Sequence, residues 1–156
     1  MSEVHTEMEH REKDGHVTYS TLFHGLFACI EMDAFVKDNI KIRKNSVKFF
    51  DRKERIEMDS GEFEKIYDLY SVNKIYAMQL FTAEILQLFV DFRKISPEIT
   101  IKGNKLYIRF ETGNIFEANL FKESFDYNTL KKYFSVIRFV IELTDIIHKN
   151  IKEPEE

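Results

Sequence analysis

The stretch Glu98-Ile-Thr-Ile-Lys-Gly-Asn-Lys-Leu-Tyr-Ile-Arg-Phe110, continued by Glu111-Thr-Gly-Asn-Ile-Phe-Glu-Ala-Asn-Leu120, decides the fold class. Ile99 and Ile101 alternate with Thr100 and Lys102. Leu106, Ile108 and Phe110 alternate with Tyr107, Arg109 and Glu111. A period of two over short runs marks strands with one buried face. Gly103-Asn104 and Thr112-Gly113-Asn114 read as turns, which makes the stretch a three-stranded meander ending in a strand over 115–120.

Downstream of it, Asp126 or Asn128 can cap a long helix. Leu130, Tyr133, Phe134, Ile137, Val140, Ile141, Thr144 and Ile147 recur there at steps of three and four. That stripe is wide, as for a helix lying on a sheet rather than a coiled-coil seam. Upstream, Thr82 caps a helix through Ile85, Leu88, Phe89 and Phe92 that Pro97 ends, and Ser71 opens one through Ile75, Met78 and Leu80. Tyr67–Tyr70 reads as a short strand after a helix start at 58–66, where Asp59 or Ser60 caps and Glu62 and Glu64 favour the dipole. Two further β regions precede these. One runs 17–30 with a kink or bulge at Gly25; the other runs 35–50 with a tight turn at Asn45-Ser46. The expected fold is α+β: a mainly antiparallel sheet with a C-terminal three-stranded meander, packed against a helical pair and a long C-terminal helix.

A chain of 156 residues is the size of one domain. Residues 1–16 read as a mobile acidic arm or linker, 17–150 as the domain and 151–156 as a frayed tail. With Phe 15, Tyr 7 and Trp 0, the core is expected to be rich in phenylalanine. The arm contains no apolar segment of a signal peptide, and no stretch is apolar enough to span a bilayer, since Arg138, Glu142 and Asp145 interrupt the best candidate.

Little in the chain suggests catalysis. A net charge of -4 argues against a nucleic-acid partner. Cys29 stands between apolar neighbours, which would silence it as a nucleophile and fits a reducing compartment. The acidic group Glu57, Asp59, Glu62, Glu64 and Asp68 lacks the spacing of a calcium loop, and capping accounts for three of its members. His5, His10 and His16 fall on the arm and His24 on a strand, so no metal and no cofactor is expected. Gly 5 in the whole chain disfavours phosphate-cradling loops.

One segment stands out. Lys41, Arg43, Lys44, Lys48, Arg52, Lys53 and Arg55 face only Asp51 and Glu54 within residues 40–55. Such a basic stretch beside Phe49 and Phe50 can meet an anionic lipid surface or a protein partner, and its bland reading is a solvated strand face with edge-protecting lysines. The expectation is a non-enzymatic cytosolic interaction domain, with a small-ligand-binding domain or enzyme, holding a Phe/Tyr-lined pocket between sheet and helices, as the alternative.

Four stretches carry a family resemblance: Phe23-His-Gly-Leu-Phe27; Met58-Asp-Ser-Gly-Glu-Phe-Glu-Lys-Ile-Tyr-Asp-Leu-Tyr-Ser71; Ala77-Met-Gln-Leu-Phe-Thr82; and Asn104-Lys-Leu-Tyr-Ile108 with Ile115-Phe-Glu-Ala118. Over residues 19–148 their order resembles a bacterial domain-of-unknown-function family, number thirty-one thirty-seven. Members of that family carry two membrane-spanning helices before this domain, which is then cytosolic. The resemblance therefore implies a membrane-anchored protein, with residues 1–16 as the linker and the basic segment near the bilayer. This chain is then the piece that follows the anchor, or a shortened member. The family has no established activity, so it assigns no functional residue.

Overall fold

Residues Val17–Lys44 form one strand of 28 residues, β2, and the rest of the sheet is built on it. The structure is a computed structural model that describes residues 1–45, 54–113 and 127–152. Four more strands are β1 (Ser2–Arg11), β3 (Arg55–Ile56), β4 (Tyr67–Tyr70) and β5 (Pro97–Phe110). The helices are α1 (Gly61–Glu64), α2 (Lys74–Leu80), α3 (Ala83–Asp91) and α4 (Tyr127–Lys152), with a 3₁₀ turn at Arg93–Ile95. Among the described residues the sheet runs β1-β2-β4-β3, with β5 also paired to β2. Every pairing is antiparallel. The fold is α+β, as the alternation of strands and helices implies.

The two β regions expected at 17–30 and 35–44 are thus a single strand. Leu26, Ala28, Met32, Val36, Ile40 and Ile42 keep one parity and are all buried, so the period-two pattern runs through the junction. Cys29 takes the other parity and is exposed, not buried as its neighbours suggested. The expected turn at Asn45-Ser46 and the run to Phe50 fall outside the described residues beyond Asn45.

Gly103-Asn104 is not a hairpin turn. A two-residue hairpin of the favoured type needs positive φ at both central residues. Only Gly103 has it, at 64°, and β5 continues through both residues along β2, from Ile42↔Ile99 to Leu26↔Phe110. The buried parity changes across this point, from Ile99 and Ile101 to Leu106, Ile108 and Phe110. The extra residues are on β2, where Glu31↔Lys105, Val36↔Gly103 and Ile40↔Ile101 set the longer run of chain against the shorter one. β2 bulges on either side of Val36, opposite Gly103, with the Phe35 ring against that glycine. The third strand expected over 115–120 lies outside the described residues.

These bulges bend the ribbon. Glu98 and Arg109 lie on one strand, and eleven residues of extended chain would separate them by roughly 36 Å. Instead Arg109 Nε donates to Glu98 Oε2 at 2.6 Å. The β2–β5 ribbon curls until its two ends meet.

Residues 2–11 are a strand rather than a mobile arm. They pair with β2 from Ser2↔Phe27 to Arg11↔Val17. Asp14-Gly15 closes the hairpin: Gly15 takes φ 87°, and Glu12 N donates to His16 O at 2.9 Å. The turn dipeptide was legible, but the charge of the segment hid it. The bulge expected at Gly25 falls at Leu22, where the register slips between Thr6 and Glu7. Gly25 serves another purpose: a Cβ there would collide with Phe110 O and stand 2.8 Å from Thr112 N.

Ser60 caps α1, its hydroxyl accepting from Phe63 N at 3.4 Å. Asn73, not Ser71, caps α2, accepting from Tyr76 N at 3.1 Å. Ser71 instead donates to Asp38, whose carboxylate also accepts from Asn73 N at 2.9 Å and ties α2 to β2. Burial works against the Asp38 charge, but hydrogen bonds from Ser71, Asn73, Asn39 and Val72 outweigh it and lower its pKa. Thr82 precedes α3 without a side-chain capping bond.

Phenylalanine does fill much of the core. Phe89 meets Phe63, Tyr67 and Phe139 edge-on with ring centroids 6.1, 5.3 and 5.2 Å apart, and Phe110 joins Phe139 at 5.7 Å. The wide stripe expected on α4 is divided, however. Val136, Phe139, Leu143 and Ile147 are buried, whereas Leu130, Phe134 and Ile141 face outward.

Two predictions follow from this packing. Gly25→Ala forces two backbones apart and should cost about 3 kcal/mol, read as a fall in the urea midpoint. Tyr67 is fully buried and its hydroxyl has no hydrogen-bond partner among the described residues. Burial drives its pKa far up, with the Glu98 charge adding to the shift. Tyr67→Phe removes an unsatisfied polar atom and should leave stability unchanged or raise it by about 1 kcal/mol in the same assay.

Candidate functional site

The outward parity of β2 and β5 carries the charged groups. Glu98 sits between buried Pro97 and Ile99, so strand alternation sends its side chain to the outer face. Arg43 reaches it from β2, with Nη1 3.2 Å from Oε2, and Nη2 donates to Thr100 Oγ1 at 3.1 Å. Arg109 reaches the same Oε2 through Nε and through Nη2 at 2.5 Å. Lys44 N donates to Oε1 at 2.9 Å. The Glu98 side chain is only 12% exposed, and the Arg109 guanidinium lies over the Phe23 ring at 5.7 Å.

A second cluster lies one strand over. Arg55 donates to Asp68 and to Glu64, each at 2.5 Å. Glu64 also accepts from Met58 N at 2.8 Å. The hydrogen bond to Asp68 raises the Arg55 pKa against the opposing effect of burial, with the Asp68, Glu64 and Glu57 charges adding to the rise.

These contacts divide the basic segment. Arg43 and Arg55 are held by carboxylates, whereas no carboxylate among the described residues forms an ion pair with Lys41 or Lys44. Lys41 pairs in register with Tyr70 on one side and Thr100 on the other, and Lys102 shares the outward parity of Thr100 on β5. Lys48, Arg52 and Lys53 lie outside the described residues. The structure thus brings Lys41, Arg43 and Lys44 to one end of β2 and sets Arg55 beyond β4.

Sequence reasoning missed Glu98 and Arg109. Nothing in a linear reading brings together two residues of one strand; a charged residue between two buried β positions was the available signal. The His5 and His24 rings stack at 4.3 Å across the β1–β2 ladder, also unforeseen because residues 2–11 read as an arm. Among the described residues no group of three or more His, Cys, Asp or Glu side chains is placed to hold a metal ion. A cleft of about 40 Å³ opens between Leu22, Phe23, Lys44, Glu98, Arg109 and Glu111. That is room for water and far below a metabolite pocket.

Glu98 is the counter-ion of two arginines. Glu98→Gln leaves both unpaired at the ribbon seam and should cost about 2 kcal/mol in urea unfolding. Lys44→Gln, which removes no ion pair, should stay within about 0.5 kcal/mol.

No helix among the described residues is long and apolar enough to cross a membrane. No curated protein matches the chain significantly. A solved structure does: the crystal structure of the mycobacterial trehalose monomycolate transport factor A, TtfA, with TM-score 0.55 and 10% identity, covering 90% of this chain and 70% of that one. At that identity the likeness is one of fold. The family model for proteins of unknown function DUF3137 matches residues 21–149. That span takes in the whole β2–β5 ribbon, its Glu98 seam and α4 nearly to its end, and the chain belongs to this DUF3137 family.

Proposed function

We propose that the chain is a non-enzymatic interaction domain that works at the cytosolic face of a bacterial membrane as part of a membrane-anchored protein. Its docking surface is the lysine-bearing end of the β2–β5 face, and its partner is an anionic lipid surface. The observation that carries this reading is the division of the basic segment. Arg43 and Arg55 are consumed by Glu98, Asp68 and Glu64, which leaves Lys41, Lys44 and the neighbouring Lys102 without ion-pair partners among the described residues. Unpaired lysines on a rigid strand each contribute about 1 kcal/mol at an anionic bilayer.

Co-sedimentation with phosphatidylcholine vesicles, with and without an anionic lipid, tests the proposal. The chain should bind only the anionic vesicles, and added salt should release it. The triple variant Lys41→Glu, Lys44→Glu, Lys102→Glu should lower the bound fraction at least tenfold while its unfolding midpoint holds. Equal binding by the variant would show that these lysines are a solvated strand face and nothing more.

A further inference from the structure

The short helix α2 turns apolar residues both inward and outward. Ala77 and Leu80 are buried, whereas Val72, just before the helix, is 76% exposed, Ile75 73% and Met78 42%. Steps of three set these outward residues along one line. The segment is held at both ends, so its exposure is built into the fold. At its start the Asp38 carboxylate accepts from the Ser71 hydroxyl and from the backbone N–H of Val72 and Asn73. At its end Asn150 Nδ2 donates to Leu80 O at 2.9 Å. A second apolar projection is Phe35, 71% exposed, whose ring rests on Gly103. Each projection stands beside a lysine of the β2–β5 docking surface. Tyr70 is the register partner of Lys41, and Val72 follows it by two residues. Lys102 adjoins Gly103 and is exposed.

We propose that Val72, Ile75 and Phe35 enter the apolar boundary of an anionic bilayer while the neighbouring lysines hold its headgroups, an inference that rests on the lipid-docking reading above. Charge selects this occupant. Lys37, Lys41, Lys44, Lys74 and Lys102 outnumber Asp33, Asp38 and Glu54, the neighbouring carboxylates that form no ion pair among the described residues. Asp38 is also taken up by hydrogen bonds from Ser71, Asn73, Asn39 and Val72. The form of the surface points the same way. Its apolar groups are two small projections in a cationic surround, whereas a protein interface buries a packed apolar core. A bilayer takes up such side chains singly, about 5–10 Å into the boundary between headgroups and acyl chains. Lysine suits that setting, since its apolar stem can lie along the inserted side chains while the ammonium stays among the phosphates.

The chain has no tryptophan, so one introduced at Val72 or Phe35 reports alone. The full chain carrying Val72→Trp or Phe35→Trp is mixed with vesicles of phosphatidylcholine and phosphatidylglycerol. Both emissions should move to the blue and be quenched by lipids brominated on the acyl chain. Tyr19→Trp, at an exposed position of the β1–β2 hairpin, should keep its aqueous emission. Val72→Ser with Ile75→Ser should lower the fraction that sediments with these vesicles about tenfold, with an unchanged unfolding midpoint because both side chains face water. A wild type that sediments while both tryptophans stay aqueous overturns insertion alone and leaves the lysine reading standing. Undiminished sedimentation of the serine variant also overturns insertion, and so does equal quenching at Tyr19→Trp, which would mean adsorption without a preferred face. A wild type that fails to sediment overturns both readings.

Discussion

A single carboxylate holds the two ends of a curled ribbon together. Glu98 receives Arg43 from β2, Arg109 from the far end of its own strand and the backbone of Lys44. The curl is made possible by one glycine with left-handed backbone at Gly103 and by another, Gly25, whose missing side chain lets the end of β5 cross. Once the ribbon is bent, its inner parity forms a concave apolar surface. The helices can fill that surface with edge-to-face aromatic rings, from Phe63 through Phe89 to Phe139 and Phe110. Without the bend, the same alternating sequence would give a long flat ladder with nothing to enclose.

The seam also governs what the surface can offer. A basic segment in a sequence is a count of charges, but a basic surface is what remains after ion pairs form. Here, among the described residues, Glu98, Asp68 and Glu64 take up Arg43 and Arg55, which are the better fork-shaped donors, and leave Lys41 and Lys44 without an ion pair. The residue type that remains is the one suited to a diffuse anionic surface rather than to a directed carboxylate contact.

Much of the architecture was legible in the residues. The helix start capped by Ser60, the start of α3 after Thr82, the short strand at Tyr67–Tyr70 and the long last helix stand where the spacing of apolar residues puts them. The misreadings share a cause. Gly103-Asn104 can open a hairpin or lie within a strand that runs on past a bulge in its partner, and only the partner strand decides which. Residues 2–11 have strand alternation but little apolar content, because both faces of the β1–β2 ribbon are wet. The α4 stripe reads as one wide face, whereas Val136, Phe139, Leu143 and Ile147 are buried and Leu130, Phe134 and Ile141 face outward. Glu98 and Arg109 could not be paired by any local rule, since their contact exists only through the curl.

The curl is the claim on which the fold and the site both rest, and one distance tests it. Leu22 and Lys44 are exposed, lie on the same strand β2 and line the same small cleft. Spin labels placed at these two positions, with Cys29 replaced by serine, report their separation by pulsed electron–electron resonance. A curled ribbon gives a distance below about 25 Å, linkers included, whereas an extended β2 gives roughly 70 Å. The short distance is the predicted result, and its loss in a Glu98→Gln, Gly103→Val variant would show which residues hold the bend. A long distance in the wild type would contradict the account.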